Sequence, residues 1–391
     1  MKYFSAQYVI TNSSPLLKRA VITTEDDGTV TAVEDTAGEL REKHSTEFHN
    51  GIIIPGFVNC HCHLELSHLK GFAEQGTGLD DFLEHLRSAR ISDSETIVKS
   101  AYSADIGMYN EGISLCADIC NTSETFSVKE KSKISYINLL EVFGIDPDKA
   151  YRRFEEIIRV SQIARERNLS FSLIPHAVYS MSLTLLRLLR GKSGHNKITS
   201  IHFMETPAER EFLENHSGPM MTSFLRSGLL PSRLETVNSH ADAVLNEITQ
   251  SGNLILVHNT FADRETIKAI KKRKNLYWCL CPNSNIYIEK AIPPVDLLLE
   301  EKCEIVIGTD SLASNGSLSI IDELKTLQLN FPSLSIEDLI SWSTLNGARA
   351  LGEEERFGTI EPGKKPGILL LQNVDLVNMK LLPDSFVTRL I

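Results

Sequence analysis

Eight short apolar runs between residues 56 and 355, each closing on polar residues and each feeding a helical pattern, constrain this chain more than any other feature. The first, 57–60, delivers His61-Cys62-His63; 113–117 ends at Asp118, 134–142 near Glu141, and 169–175 at His176. The run 198–204 carries His202 and ends at Glu205, and 254–257 ends at His258. The last two, 276–281 and 304–307, lead into Pro282-Asn283-Ser284-Asn285 and Gly308-Thr309-Asp310-Ser311. Eight strands alternating with helices are the pattern of an α/β fold of the (β/α)8 TIM-barrel type, whose working residues sit at the C-terminal strand ends. A doubly wound open sheet is the alternative. It more often shows a glycine-rich phosphate loop after its first strand, and none is present.

The two ends read differently. Tyr3-Phe4-Ser5-Ala6, Ala20-Val21-Ile22-Thr23 and Val30-Thr31-Ala32-Val33 are short strands, the last two joined by a hairpin turn at Asp26-Asp27-Gly28. Such a piece is too small to bury a core of its own. The tail offers partners in Gly367-Ile368-Leu369-Leu370-Leu371 and Val374-Asp375-Leu376. A small composite β-sandwich domain is therefore expected from 1–55 with 356–391, beside a barrel over 56–355.

Composition narrows the partners. With 40 basic against 51 acidic residues the net charge is −11, which argues against nucleic acid and anionic membranes. No run approaches the ~18 apolar residues of a membrane span. The opening MKYFSAQYVITNSS lacks the apolar core of a secretory signal, and seven cysteines without a framework spacing suit a reduced, cytoplasmic protein. Cys279 and Cys281 are too closely spaced for a zinc knuckle and read as buried structural thiols. The expected partner is a small-molecule substrate, with a homodimer compatible with the reading.

Alternate strand residues point the same way, so His61 and His63 put two imidazoles on one side, about 6–7 Å apart along the strand. That spacing can close on one ion. At a strand end two polar residues would be unremarkable; what gives the pair weight is that His176, His202, His258 and Asp310 also fall at strand ends.

Several longer motifs resemble a known family. They are Pro55-Gly56-Phe57-Val58-Asn59-x-His61-x-His63-Leu64-Glu65-Leu66-Ser67, His202-x-x-Glu205, His258, and Gly308-Thr309-Asp310-Ser311-Leu312-Ala313-Ser314-Asn315. Asn346-Gly347-Ala348-Arg349-Ala350-Leu351-Gly352 and Gly358-x-Ile360-x-x-Gly363 add to them. Over nearly its whole length the chain resembles the amidohydrolase superfamily, in its branch of metal-dependent deaminases and chlorohydrolases, and within that the aminofutalosine-deaminase-like members.

The resemblance implies that His61, His63, His202 and Asp310 hold one divalent metal, zinc before iron. Two-metal relatives carry a carboxylated lysine at the end of strand 4, and that strand has none here. It further implies that Glu205 carries a proton to the ring nitrogen beside the reacting carbon and that His258 orients the nucleophile. Asp310 and His258 would take and return protons as ammonia leaves. His176 is expected to contact substrate, and Glu65 and Ser67, in a loop bordering the pocket, are carried as further substrate contacts. His44, His49, His195, His216 and His240 lie in polar segments and read as surface. The expected activity is hydrolytic deamination of an aminated purine-like ring, an adenosine derivative first. A guanine, pterin or cytosine deaminase or a chlorohydrolase using the same site is the alternative, and a non-catalytic scaffold is disfavoured by the complete ligand set.

Overall fold

The computed structural model describes residues 1–40, 45–194 and 196–391. Strands from both chain ends share one sheet, in the order Lys380–Arg389, Ile368–Asp375, Thr46–Pro55, Lys2–Val9, Val21–Thr24, Val30–Glu34, with Leu17–Lys18 pairing off Lys2–Val9. The hairpin turn falls where the sequence placed it: Glu25 N–H donates to Thr29 O (2.8 Å), and Gly28 takes the left-handed φ of +92° that favours glycine.

Alternation along Thr46–Pro55 divides that sheet's two faces. Ile53 joins a small cluster with Phe4, Ile22, Ile368 and Leu370, whereas Ile52, Ile54, Leu369 and Leu371 enter the large core. A one-residue slip would exchange the two sets, so burial on both faces pins the register.

Two four-stranded parallel sheets carry the rest: Phe57–Cys62, Ile113–Cys120, Ser135–Val142 and Phe171–Pro175 in one, and Ile198–Phe203, Asn253–His258, Leu276–Leu280 and Glu304–Ile307 in the other. Single parallel bridges, Ala177 to His202 and Cys62 to Asp310, link the sheets at both edges. Val58, Leu115, Leu139 and Ile174 from the first sheet and Val257 and Val306 from the second share one apolar cluster. The result is a mixed α/β fold with parallel sheets whose strand ends converge.

A 3-10 turn, Pro147–Lys149, precedes the helix Ala150–Glu166, with Asp146 Oδ1 accepting from Asp148 N–H (3.1 Å). Two helices late in the chain, Ile336–Ser343 and Leu345–Ala350, are separated only by Thr344. There Asn12 Nδ2 donates to Thr344 Oγ1 (2.7 Å), tying the N-terminal strands to the break. Cys279 and Cys281 are buried free thiols. Among the described residues no helix is long and apolar enough to cross a membrane. His216 is exposed and His49 half-buried, but His240 is buried; His44 and His195 lie outside the described residues.

Candidate metal centre

The strand Phe57–Cys62 ends by turning His61 and His63 to the same side, with their Nε2 atoms 3.2 Å apart. Asp310 Oδ1 lies 3.5 Å from each. His202, from Ile198–Phe203, completes a group in which the ligand nitrogens of the three histidines lie within 4.8 Å of one another. Donors around a tetrahedral ion at roughly 2.0–2.1 Å stand about 3.3 Å apart. Three imidazoles and a carboxylate at these spacings fit one divalent ion.

The non-ligating atoms of His202 and Asp310 are tied down. His202 Nδ1 donates to the His176 carbonyl (2.7 Å), which leaves Nε2 as its free lone pair. Asp310 Oδ2 accepts from Ser284 Oγ and Ser314 Oγ, both at 2.6 Å. Burial holds His63 and His202 well below the usual imidazole range, so both are neutral, as metal ligation requires. Burial pushes the Asp310 carboxyl up, but the hydrogen bond from His61 and the neighbouring imidazoles outweigh it and hold the group well below the usual range. Met204, His258, Asn259 and Asp310 all adopt left-handed φ between +50° and +75°. Such non-glycine residues concentrate where surrounding structure over-determines the backbone; here Asn259 Nδ2 donates to the Leu256 carbonyl at 2.8 Å and its N–H to Phe203 O at 3.0 Å.

Glu205 and His258 stand beside this group. His258 Nδ1 donates to Asn285 Oδ1 (2.9 Å), and its Nε2 lies 3.5 Å from Glu205 Oε1. Burial, reinforced by nearby Glu209, raises the Glu205 carboxyl well above its usual range, the state of a group that can give a proton at neutral pH. Glu209 belongs to a capping box at Thr206 and accepts from Glu205 N–H (2.7 Å); its other oxygen accepts from His240 Nε2 (2.8 Å). The surface reading of His240 is thereby corrected: a buried carboxylate needed a partner.

A cavity opens beside these groups, lined by His63, Glu141, His176, Tyr179 and Arg90 among others. His176 Nδ1 bonds Ser180 Oγ (2.7 Å), and burial pushes the ring down to about 3, so a neutral imidazole faces the cavity. Glu65 and Ser67 do not line it. The Glu65 carboxylate is taken up by Arg90, Asn121 N–H (3.2 Å) and Thr122 Oγ1 (3.1 Å), which makes it a brace for the cavity wall and revises the expected substrate contact. The turn after His63 is braced too, since Leu64 N–H donates to Asp118 Oδ1 (2.7 Å) and fully buried Lys129 pairs with Asp118 Oδ2 (2.5 Å).

Glu141 was noticed in the sequence only as a strand end. It lies on the cavity floor, held by Asn121 Nδ2 (3.1 Å), with its carboxyl pushed up by burial to about 8. Glu141, His176 and His202 also cluster closely enough for a cation. Yet His202 Nδ1 is spent on the His176 carbonyl, so this trio offers no second full ligand set.

The strand ends, the three imidazoles and the buried acid define a hydrolase-type metal site, and the comparisons agree. The family model described as "Amidohydrolase family" matches residues 52–387, and the chain belongs to that family. An adenosine deaminase of Helicobacter pylori is 26% identical over 329 residues, covering 81% of this chain and 78% of that one. An aminodeoxyfutalosine deaminase of Nitratiruptor sp. is 28% identical over 343 residues, covering 82% and 79%. Among solved structures, Helicobacter pylori aminofutalosine deaminase in complex with methylthio-coformycin superposes with a TM-score of 0.79 at 22% identity, covering 100% of both chains.

Proposed function

We propose that this protein is a metal-dependent hydrolytic deaminase of an adenine-type ring borne on a ribosyl body, an aminofutalosine-like adenosine derivative. The observation that carries the reading is the convergence of His61 Nε2, His63 Nε2 and Asp310 Oδ1 within 3.2–3.5 Å, with Glu205 and His258 alongside. His61, His63, His202 and Asp310 would hold one zinc, and bound zinc makes water a nucleophile near neutral pH. Glu205 gives its proton to the ring nitrogen next to the amine-bearing carbon. His258, fixed by Asn285, steers the nucleophile with Nε2. Asp310 receives the nucleophile's second proton, and with His258 returns it to the departing ammonia. His176 meets the substrate from the cavity wall.

The proposed frame is a (β/α)8 barrel over 56–355, closed by the two inter-sheet bridges, with 1–55 and 356–391 folded as a β-sandwich around the Phe4 and Ile53 cluster. Deamination of adenosine derivatives by the named relatives supports the substrate class. The test is ammonia release from purified zinc-loaded protein over adenosine, 5′-deoxyadenosine, methylthioadenosine, aminodeoxyfutalosine, guanine, cytosine and pterin. An adenosine derivative should be turned over fastest. Faster release from guanine, cytosine or pterin overturns the substrate, and no release from any ring amine overturns the deaminase.

A further inference from the structure

Two buried titratable side chains, Glu209 and His240, stand behind the site without a part in the proton transfers. Glu209 is the third residue of the helix Pro207–Asn215, the position from which a glutamate reaches back to the N-cap N–H in a capping box. Its Oε1 does accept from that N-cap, Thr206 N–H (3.2 Å), but the shorter bond goes one residue further back, to Glu205 N–H (2.7 Å). Capping the helix does not require this second bond. Nor does it require a charge, since glutamine fills the same place in a capping box.

His240 completes the arrangement from 31 residues away: its Nε2 donates to Glu209 Oε2 (2.8 Å), so both carboxylate oxygens are held and the group cannot turn. The His240 ring also stands edge-on to Phe203, with centroids 5.1 Å apart. Phe203 directly follows His202 in the chain, and Glu205 follows Met204, whose left-handed φ of +50° turns the backbone out of the strand. The pair therefore touches the segment on both sides of that turn. The Glu205 carboxyl has no such hold of its own. Among the described residues it accepts no hydrogen bond, and His258 Nε2 lies 3.5 Å from it. Its place is set through its backbone.

Resting on the deaminase reading, we propose that Glu209 and His240 are positioning residues, a buried pair that fixes the backbone of Glu205 so that its carboxyl meets the ring nitrogen. A bond from a backbone N–H to a carboxylate is shorter and stronger than one to a neutral oxygen. That is the use of a charge which helix capping alone does not need. Taking a carboxylate out of water is costly unless it is paired and hydrogen-bonded, and His240 with the two N–H groups meets that condition. The gain is geometric. Misplacing a reacting group by 1 Å can cost about 10²-fold in rate.

The experiment takes Glu209→Ala, Glu209→Gln and His240→Phe, each alone and combined with Glu205→Gln, as zinc-loaded protein. It measures kcat, KM and zinc content with the fastest adenosine derivative, and hydrogen exchange over residues 203–207. Glu209→Ala should lower kcat about 10–100-fold with KM and zinc content near wild type, and should speed exchange in that segment. Glu209→Gln keeps an oxygen for the two N–H groups and should recover most of the rate. His240→Phe keeps the ring edge on Phe203 but frees Glu209, and should fall between; it carries the same contrast should Glu209→Ala not fold. Combined with Glu205→Gln, none of the three should lower kcat much further, because no proton carrier is left to position. Losses that multiply in the double variants, zinc lost along with rate, or exchange over 203–207 unchanged in Glu209→Ala and His240→Phe would overturn the proposal. Wild type releasing no ammonia from any ring amine would overturn the deaminase reading instead, and exchange would then decide by itself whether the pair holds Glu205.

Discussion

Around the metal group, which meets the cavity floor through His63, the side chains of His202, His258 and Asp310 each have a second atom held by a carbonyl, an amide oxygen or two hydroxyls, and all three are buried. At the cavity mouth Arg87, Phe143 and Lys149 are exposed, on a helix and a loop that contribute no ligand to the metal group. The floor draws on several strand ends and fixes atoms to within a hydrogen bond. The mouth offers apolar and charged side chains on elements free to vary without disturbing the metal group. Relatives that share a floor can therefore act on different substrates, and a family match reads chemistry more securely than substrate.

If that division holds, damage to the floor should abolish the reaction while damage to its supports only weakens it. His202→Ala removes a ligand and leaves the others facing each other, so metal content should fall to near zero and activity with it. The apparent melting temperature should also drop, because bound metal stabilises only the folded state. A variant retaining metal and turnover would break the comparison. Glu205→Gln keeps the shape but cannot carry a proton; kcat should fall roughly 10²–10⁴-fold with metal content unchanged, by elemental analysis beside steady-state rates. Ser284→Ala takes one donor from Asp310 Oδ2 and should weaken metal affinity about 10–100-fold in competition with a chelator.

The smallest effect sharpens the comparison from the supporting structure. Glu323 is buried between the two loops that follow the last two strands, accepting from Asn283 N–H (2.9 Å) and Asn315 Nδ2 (2.7 Å). Burial raises its carboxyl from 4.5 to about 8. A carboxyl raised on folding contributes stability that is full below its unfolded pKa and lost as pH rises through the folded one. Thermal unfolding of wild type should therefore weaken from about pH 5 to about pH 9 relative to Glu323→Gln, which has no such proton to lose. Parallel curves for the two proteins would show that Glu323 does not titrate in that window.

The sequence carried the floor well because its residues recur at a fixed place, the end of an apolar run, and because period-two alternation puts His61 and His63 on one side. It carried the pairing of the two chain ends for a similar reason: strands too few to bury a core need partners. What it did not carry depends on approach between distant segments. Glu65 read as a substrate contact at the pocket border until Asn121, Thr122 and Arg90 came to it from 25 to 57 residues away. His240 looked solvated until Glu209 was buried against it. The helices Leu79–Ala89 and Ser94–Asn110 went unread in a stretch rich in charge, and with the first of them went Arg87 and the charge of the mouth.

One metal, held by His61, His63, His202 and Asp310, should be needed for deamination. The direct measurement is to strip the protein with a chelator, add zinc back in steps, and follow ammonia release from the best adenosine derivative. Activity should be absent without metal, rise in proportion to zinc, and level off at one equivalent per chain. Full activity in the stripped protein, or a plateau at two equivalents, would contradict it.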